Sequence, residues 1–227
     1  MKNKVARFYG RRCVSYYVVS YRVSNSVVYF ADGVTYIATF YGDSWIRLPL
    51  NDSVTRLRLH LDFLTGRPGP LFYAVGSVDF LYVEVTSSGR VHVGVELGAG
   101  RATLSSPPGV SSVADLRWHS VSVVLDRSGV RLTLDDVFES RAALPGDFTE
   151  LNIDVGLRLG DARIVEEFPL MTRQPSATSF RGCLRSVVFN GVDVLAISRR
   201  TSRDSASRPT AVLWNRSEPI IGLRDLG

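Results

Sequence analysis

Cysteine is nearly absent from this chain. Its 227 residues contain Cys13 and Cys183 and no others, too few for a disulfide scaffold or a cysteine-built zinc site. Runs of about 18 apolar residues are also missing, which excludes a transmembrane helix. Histidine is scarce: His60, His92 and His119 fall on outward-facing or strand-edge positions, and none has a His or Cys at metal-ligand spacing. There is no GxSxG, no glycine-rich phosphate loop after a strand and no HExxH. Asp135-Asp136 and Glu166-Glu167 are adjacent pairs, and neighbours on a strand point to opposite faces, so neither makes an acid/base couple. The sequence therefore reads as that of a protein that is not an enzyme.

Charge is unevenly placed. Residues 1–36 carry six basic residues (Lys2, Lys4, Arg7, Arg11, Arg12, Arg22) against Asp32, and residues 198–227 carry six arginines against three acids. The body between them is mildly acidic despite a formal net charge of +5. A folded part without a basic footprint argues against nucleic acid as a partner.

What the chain does have is alternation. Leu57, Leu59, Leu61 and Phe63 face one way, while Arg56, Arg58, His60 and Asp62 face the other; period two marks a half-buried strand. The same pattern recurs in LFYAVG (71–76), in DFLYVEV with Leu81, Val83 and Val85, and in Val91, Val93 and Val95. It returns in Val121, Val123 and Leu125, answered after Arg127-Ser128-Gly129 by Val130, Leu132 and Leu134. FTELNIDVGLRLGD reads as another strand pair or a bent strand, and residues 164–179 as a loop. Leu184, Val187, Val188 and Phe189 form a strand ended by Asn190-Gly191, the pair a type I′ hairpin turn favours. Val192, Val194 and Leu195 then begin a return strand. About ten short strands at roughly 8–12-residue spacing, with no helical crossovers, predict an all-β, antiparallel sandwich or barrel.

The ends read differently. Residues 1–36 run from basic to apolar, the order of a secretory signal, but Arg22 and Asp32 interrupt the apolar part; an extra edge strand or an ill-defined leader is the alternative. Residues 198–227 are Arg/Ser-rich and read as a flexible tail. The domain expected between them spans 37–197.

Over that span, FYGDSWIRLPL, LRLHLDF, WHSVSVVLD, GLRLGD and FRGCLRSVVFNG, in that order, resemble a laminin G-like domain. The resemblance implies a two-sheet antiparallel jelly-roll sandwich, an extracellular or cell-surface location and a binding module of a larger proteoglycan-type protein. Its implied partners are matrix proteins, receptors or glycans, met through rim loops. It also implies that Cys183 pairs with a later cysteine. None follows, so the domain is cut short, the tail departs from the family, or Cys183 is free; a bridge to Cys13 is the remaining pairing.

Calcium is the cofactor the resemblance implies, though none is required. By position Asp79 matches one acidic ligand and Asp154 the other, with Asn152 close by; without a metal, Asp79 caps a turn and Asp154 is a solvated loop residue. Sulfated glycosaminoglycans would be met by Arg181 and Arg185, with Arg199, Arg200, Arg203 and Arg208 in the tail, because the guanidinium fork suits sulfate. Asn51-Asp52-Ser53 and Asn215-Arg216-Ser217 are glycosylation sequons. The alternative reading is a lectin-like or carbohydrate-active jelly roll, which needs an exposed Trp or Tyr platform. Trp45 and Trp118 are assigned to core positions, and Trp214 to the tail.

Overall fold

The computed structural model describes residues 6–9, 12–15, 37–42, 44–161 and 179–198, the first two stretches by their backbone alone. Among the described residues there are seventeen strands, the longer ones built on alternating apolar residues. β1 (Ala6–Tyr9) and β2 (Arg12–Ser15) pair with each other. β3 (Ile37–Tyr41), β4 (Ile46–Leu48), β5 (Asp52–Val54) and β6 (Leu57–Thr65) follow. Next come β7 (Gly69–Val75), β8 (Phe80–Val85), β9 (Val91–Glu96) and β10 (Arg101–Ser105). β11 (Trp118–Asp126), β12 (Gly129–Leu134) and β13 (Phe138–Ala142) form a meander. β14 (Leu151–Ile153), β15 (Gly156–Leu159), β16 (Arg181–Phe189) and β17 (Val192–Asp193) complete the set.

These strands make two large antiparallel sheets. One runs β10-β9-β8-β7-β15-β4; the other runs β13-β12-β11-β6-β16-β17, with β3 also on β16. Their inner faces share one core, in which Leu57, Leu59, Leu61 and Phe63 of β6 meet Leu81, Val83 and Val85 of β8. Phe72 and Phe189 stack across it at 5.8 Å. Burial of this apolar surface is the main favourable term for such a fold. A smaller cluster of Tyr73, Val75, Phe80 and Tyr82 lies on the other side of the six-stranded sheet.

Asn190 and Gly191 both adopt positive φ, +46° and +86°, with Phe189 opposite Val192, as a two-residue type I′ hairpin demands. The return strand is shorter than expected. It stops at Asp193, whose carboxylate accepts from Ala196 N–H at 2.9 Å and caps a helical turn at 194–198, so Val194 and Leu195 are helical. FTELNIDVGLRLGD divides into β14, which pairs with β5, and β15, which joins β7 and β4.

The hairpins define two rims. One carries the β7–β8 turn at 76–79 together with β5 and β14. The other carries the loop before β11 and the β12–β13 turn, since β11 enters opposite the end of β6.

Candidate functional site

The first rim gathers oxygen atoms. Gly76 N–H donates to Asp79 O at 2.8 Å and closes the β7–β8 turn. That turn aims the Asp79 side chain at β14. There Asp79 Oδ2 accepts from Asn152 N–H at 2.9 Å and from Asn152 Nδ2 at 2.7 Å. Asp154 is held by Ser77, whose N–H and hydroxyl donate to its two carboxylate oxygens, each at 2.6 Å. Asn152 is in turn oriented by Ser53 Oγ, which donates to its Oδ1 at 2.8 Å. Gly76 is required here: a Cβ would lie 2.0 Å from Asn152 O and 3.1 Å from Asp154 Oδ1.

Asp79 and Asp154, expected as a pair from the sequence, thus lie within one hydrogen-bonded rim, and Asn152 joins them. Asp154 is exposed in the bend after β14, as its plain alternative has it, while Asp79 does more than cap a turn. Asp79 is nearly buried and binds across to another strand, and Asp154 is anchored by Ser77. Asn152 O and Asp154 Oδ1 lie over Gly76, and Asp79 Oδ2 is held by Asn152; carboxylate and carbonyl oxygens are the donors a hard cation takes. Among the described residues there is no group of three or more His, Cys, Asp or Glu placed to hold a metal ion.

The outer face of the seven-stranded sheet holds a second constellation. Arg185 Nε donates to Asp62 Oδ2 at 2.8 Å, and its guanidinium lies 4.1 Å over the Trp118 ring. His60 Nε2 is 3.5 Å from Asp62 Oδ1, and His60 Nδ1 is 3.0 Å from Ser122 Oγ. The bond to Asp62 raises the His60 pKa above its ordinary value. Burial pushes the Asp62 carboxyl up, but the bonds from His60 and Arg185 outweigh it and hold the group below its usual range. Arg181 stands exposed on the same strand, without this carboxylate. Arg199, Arg200, Arg203, Arg208 and Asn215 lie outside the described residues.

Several placements differ from expectation. Trp118 is not a core anchor. It shares the outer face with Ser120 and Ser122, because Val121, Val123 and Leu125 take the inner positions. Trp45 is also only half-buried, with the Arg47 guanidinium 5.7 Å from its ring. Tyr73 and Tyr82 are buried, and burial lifts the Tyr82 phenol to about 12. Asp135 and Asp136 are not strand neighbours on opposite faces: both have positive φ and form the β12–β13 turn. Asp135 there binds His119 Nδ1 at 2.8 Å, while Asp115 binds Nε2 at 3.1 Å. Asn51 is exposed at the start of β5. Cys183 is disulfide-bonded rather than free; the sequence holds one other cysteine, Cys13, whose side chain lies outside the described residues.

One interaction had no sequence signal. Asp161, fully buried, accepts from Arg47 Nε at 3.1 Å and lies 3.4 Å from Arg158 Nη1. The two arginines come from β4 and β15, which only the sheet brings together.

Two antiparallel sheets packed over a shared core make a jelly-roll sandwich. A model of the laminin G domain matches residues 64–192, and the chain belongs to the laminin G domain family. The chain is 28% identical over 159 residues to chondroitin sulfate proteoglycan 4 of Rattus norvegicus, covering 70% of this chain and 7% of that protein. It is 31% identical over 147 residues to contactin-associated protein 1 of Homo sapiens, covering 60% of this chain and 10% of that protein. Among solved structures, mouse laminin alpha1 chain domains LG4-5 superpose with a TM-score of 0.59 at 23% identity, over 75% of this chain and 45% of that one. The family is one of non-catalytic extracellular binding modules, and it places this chain at the cell surface or in the extracellular space.

Proposed function

We propose that this chain is an adhesion module of a proteoglycan-type protein whose binding surface is the rim of Asp79, Asn152 and Asp154. Calcium is its cofactor, and a matrix protein, cell-surface receptor or sulfated glycan is its partner. The observation that carries this reading is that both acids are held in fixed positions at one rim, Asp79 by Asn152 and Asp154 by Ser77. The arrangement fixes negative oxygen at one end of the sandwich instead of leaving it on mobile side chains, which lowers the ordering cost of binding. Similarity to chondroitin sulfate proteoglycan 4 supports the proteoglycan setting. The test is binding to immobilised basement-membrane extract in about 1 mM calcium and in chelator, the concentration range of extracellular calcium sites. Binding in calcium that is released by chelator and lost in Asp79→Ala supports the reading. Binding indifferent to both overturns it.

A lectin-like reading finds less support. It needs an aromatic platform, and the tyrosines of the six-stranded sheet are buried while Trp118 is covered by Arg185.

A further inference from the structure

Asn51-Asp52-Ser53 is the sequon that falls within the described residues, and its surroundings tie it to the rim. Asn51 is exposed where the chain enters β5. β5 pairs antiparallel with β14, with Asp52 opposite Ile153 and Ser53 opposite Asn152. The β4–β15 ladder, with Leu48 opposite Leu157, keeps the same register, so Asn51 falls opposite Asp154 between the two ladders. The sequon hydroxyl is also joined to the rim acid through one amide: Ser53 Oγ donates to Asn152 Oδ1, and Asn152 Nδ2 donates to Asp79 Oδ2.

We infer that Asn51 carries an N-linked glycan that stands over the Asp79–Asp154 rim and screens it from protein partners. The screening half of this inference rests on the rim being the binding surface. The chemistry uses a polyprenyl-diphosphate-linked oligosaccharide as donor. The Asn51 amide nitrogen loses a proton and bonds to the anomeric carbon, and the diphosphate departs with the electrons of the broken C–O bond. The extracellular location brings the chain past that donor, and an exposed sequon at a strand entry can carry a bulky polar group without displacing the core. A glycan at this position is anchored a strand's width from Asp154, since paired strands lie about 4.8 Å apart. Bare and glycosylated forms then present different rims to the same partner.

The test secretes the full chain from a glycosylating eukaryotic cell behind a cleavable signal. Release by peptide N-glycosidase leaves an aspartate at each modified position, read by peptide mass spectrometry. Most secreted chains are expected to carry the mark at Asn51, and a bare Asn51 overturns the inference. Carbodiimide labelling of carboxylates then compares the glycosylated chain with Asn51→Gln, which leaves the Ser53–Asn152–Asp79 chain intact. Labelling of Asp154 is expected to rise severalfold in Asn51→Gln, while Asp136 on the opposite rim stays unchanged. Ser53→Thr, which keeps the sequon, is expected to retain the glycan and the low labelling. Equal labelling of Asp154 in all three proteins overturns the screening. Failure of the rim as a binding surface is read separately, by matrix binding of the bare Asn51→Gln protein in calcium.

Discussion

Asn152 donates to Asp79 twice, through its backbone N–H at 2.9 Å and through Nδ2 at 2.7 Å, both to the same carboxylate oxygen. The pair spans 73 residues of sequence. It locks the β7–β8 turn to β14, so the rim keeps its shape without a partner. Asp79→Ala leaves two donors of Asn152 without their acceptor, one of them on the backbone. It is predicted to cost about 1–3 kcal/mol, the scale of a lost charged acceptor at a partly buried site. Urea unfolding of the two proteins measures this; an unchanged midpoint would mean that the turn is not held by this pair.

Asp161 binds Arg47 and Arg158 from a fully buried position. Asp161→Asn removes the negative charge that the two guanidiniums share, and Arg158 is itself nearly buried. Breaking such a pair costs about 3–5 kcal/mol, because a charge stays in the interior without its counter-ion. The variant is expected to unfold at markedly lower denaturant, and replacing Arg47, which is more exposed, is expected to cost less.

The His60–Asp62 pair gives stability a pH dependence. The His60 pKa is raised above 6.5 in the folded state, so its contribution is full below the unfolded value and fades as pH rises through the folded value. Asp62 is held below 3.8, so its contribution is present above that value and is lost as pH falls through the folded value. Thermal unfolding from about pH 5.5 to about pH 8 is expected to show a decline that flattens in His60→Gln. An identical slope in wild type and variant would contradict the assignment.

Arg181 and Arg185 share a strand but differ in what is left to offer. Arg185 spends its charge on Asp62 and its face on Trp118, whereas Arg181 is exposed. If sulfated glycans are the partner, Arg181→Ala is predicted to lower the salt needed for heparin elution more than Arg185→Ala does. The reverse order would move the glycan site onto the sheet face.

Most of the sandwich was legible in the sequence, because period-two alternation is a local signal. Leu57 to Phe63 and Val121 to Leu125 were placed on their inner faces by spacing alone, and Asn190-Gly191 by the φ values its turn needs. For Trp118 the family resemblance implied a core anchor, although the alternation that buries Val121 assigns position 118 to the outer face. Asp135-Asp136 misled for a related reason: acids in a run of strand residues look like strand residues, whereas their tolerance of positive φ makes a turn. The pairings of Asp79 with Asn152 and of Asp161 with Arg47 join residues 73 and 114 apart, so no short window of sequence contains them, although Arg158 lies three residues before Asp161.

The central claim is that the Asp79–Asn152–Asp154 rim is a cation-dependent binding surface. Calcium titration followed by thermal unfolding tests it most directly, since an ion that binds only the folded state raises its melting temperature by mass action. The account predicts a rise in melting temperature at millimolar calcium, saturating with concentration and absent in Asp79→Asn and Asp154→Asn. No stabilisation of the wild-type chain by calcium, or an equal rise in both variants, would contradict it.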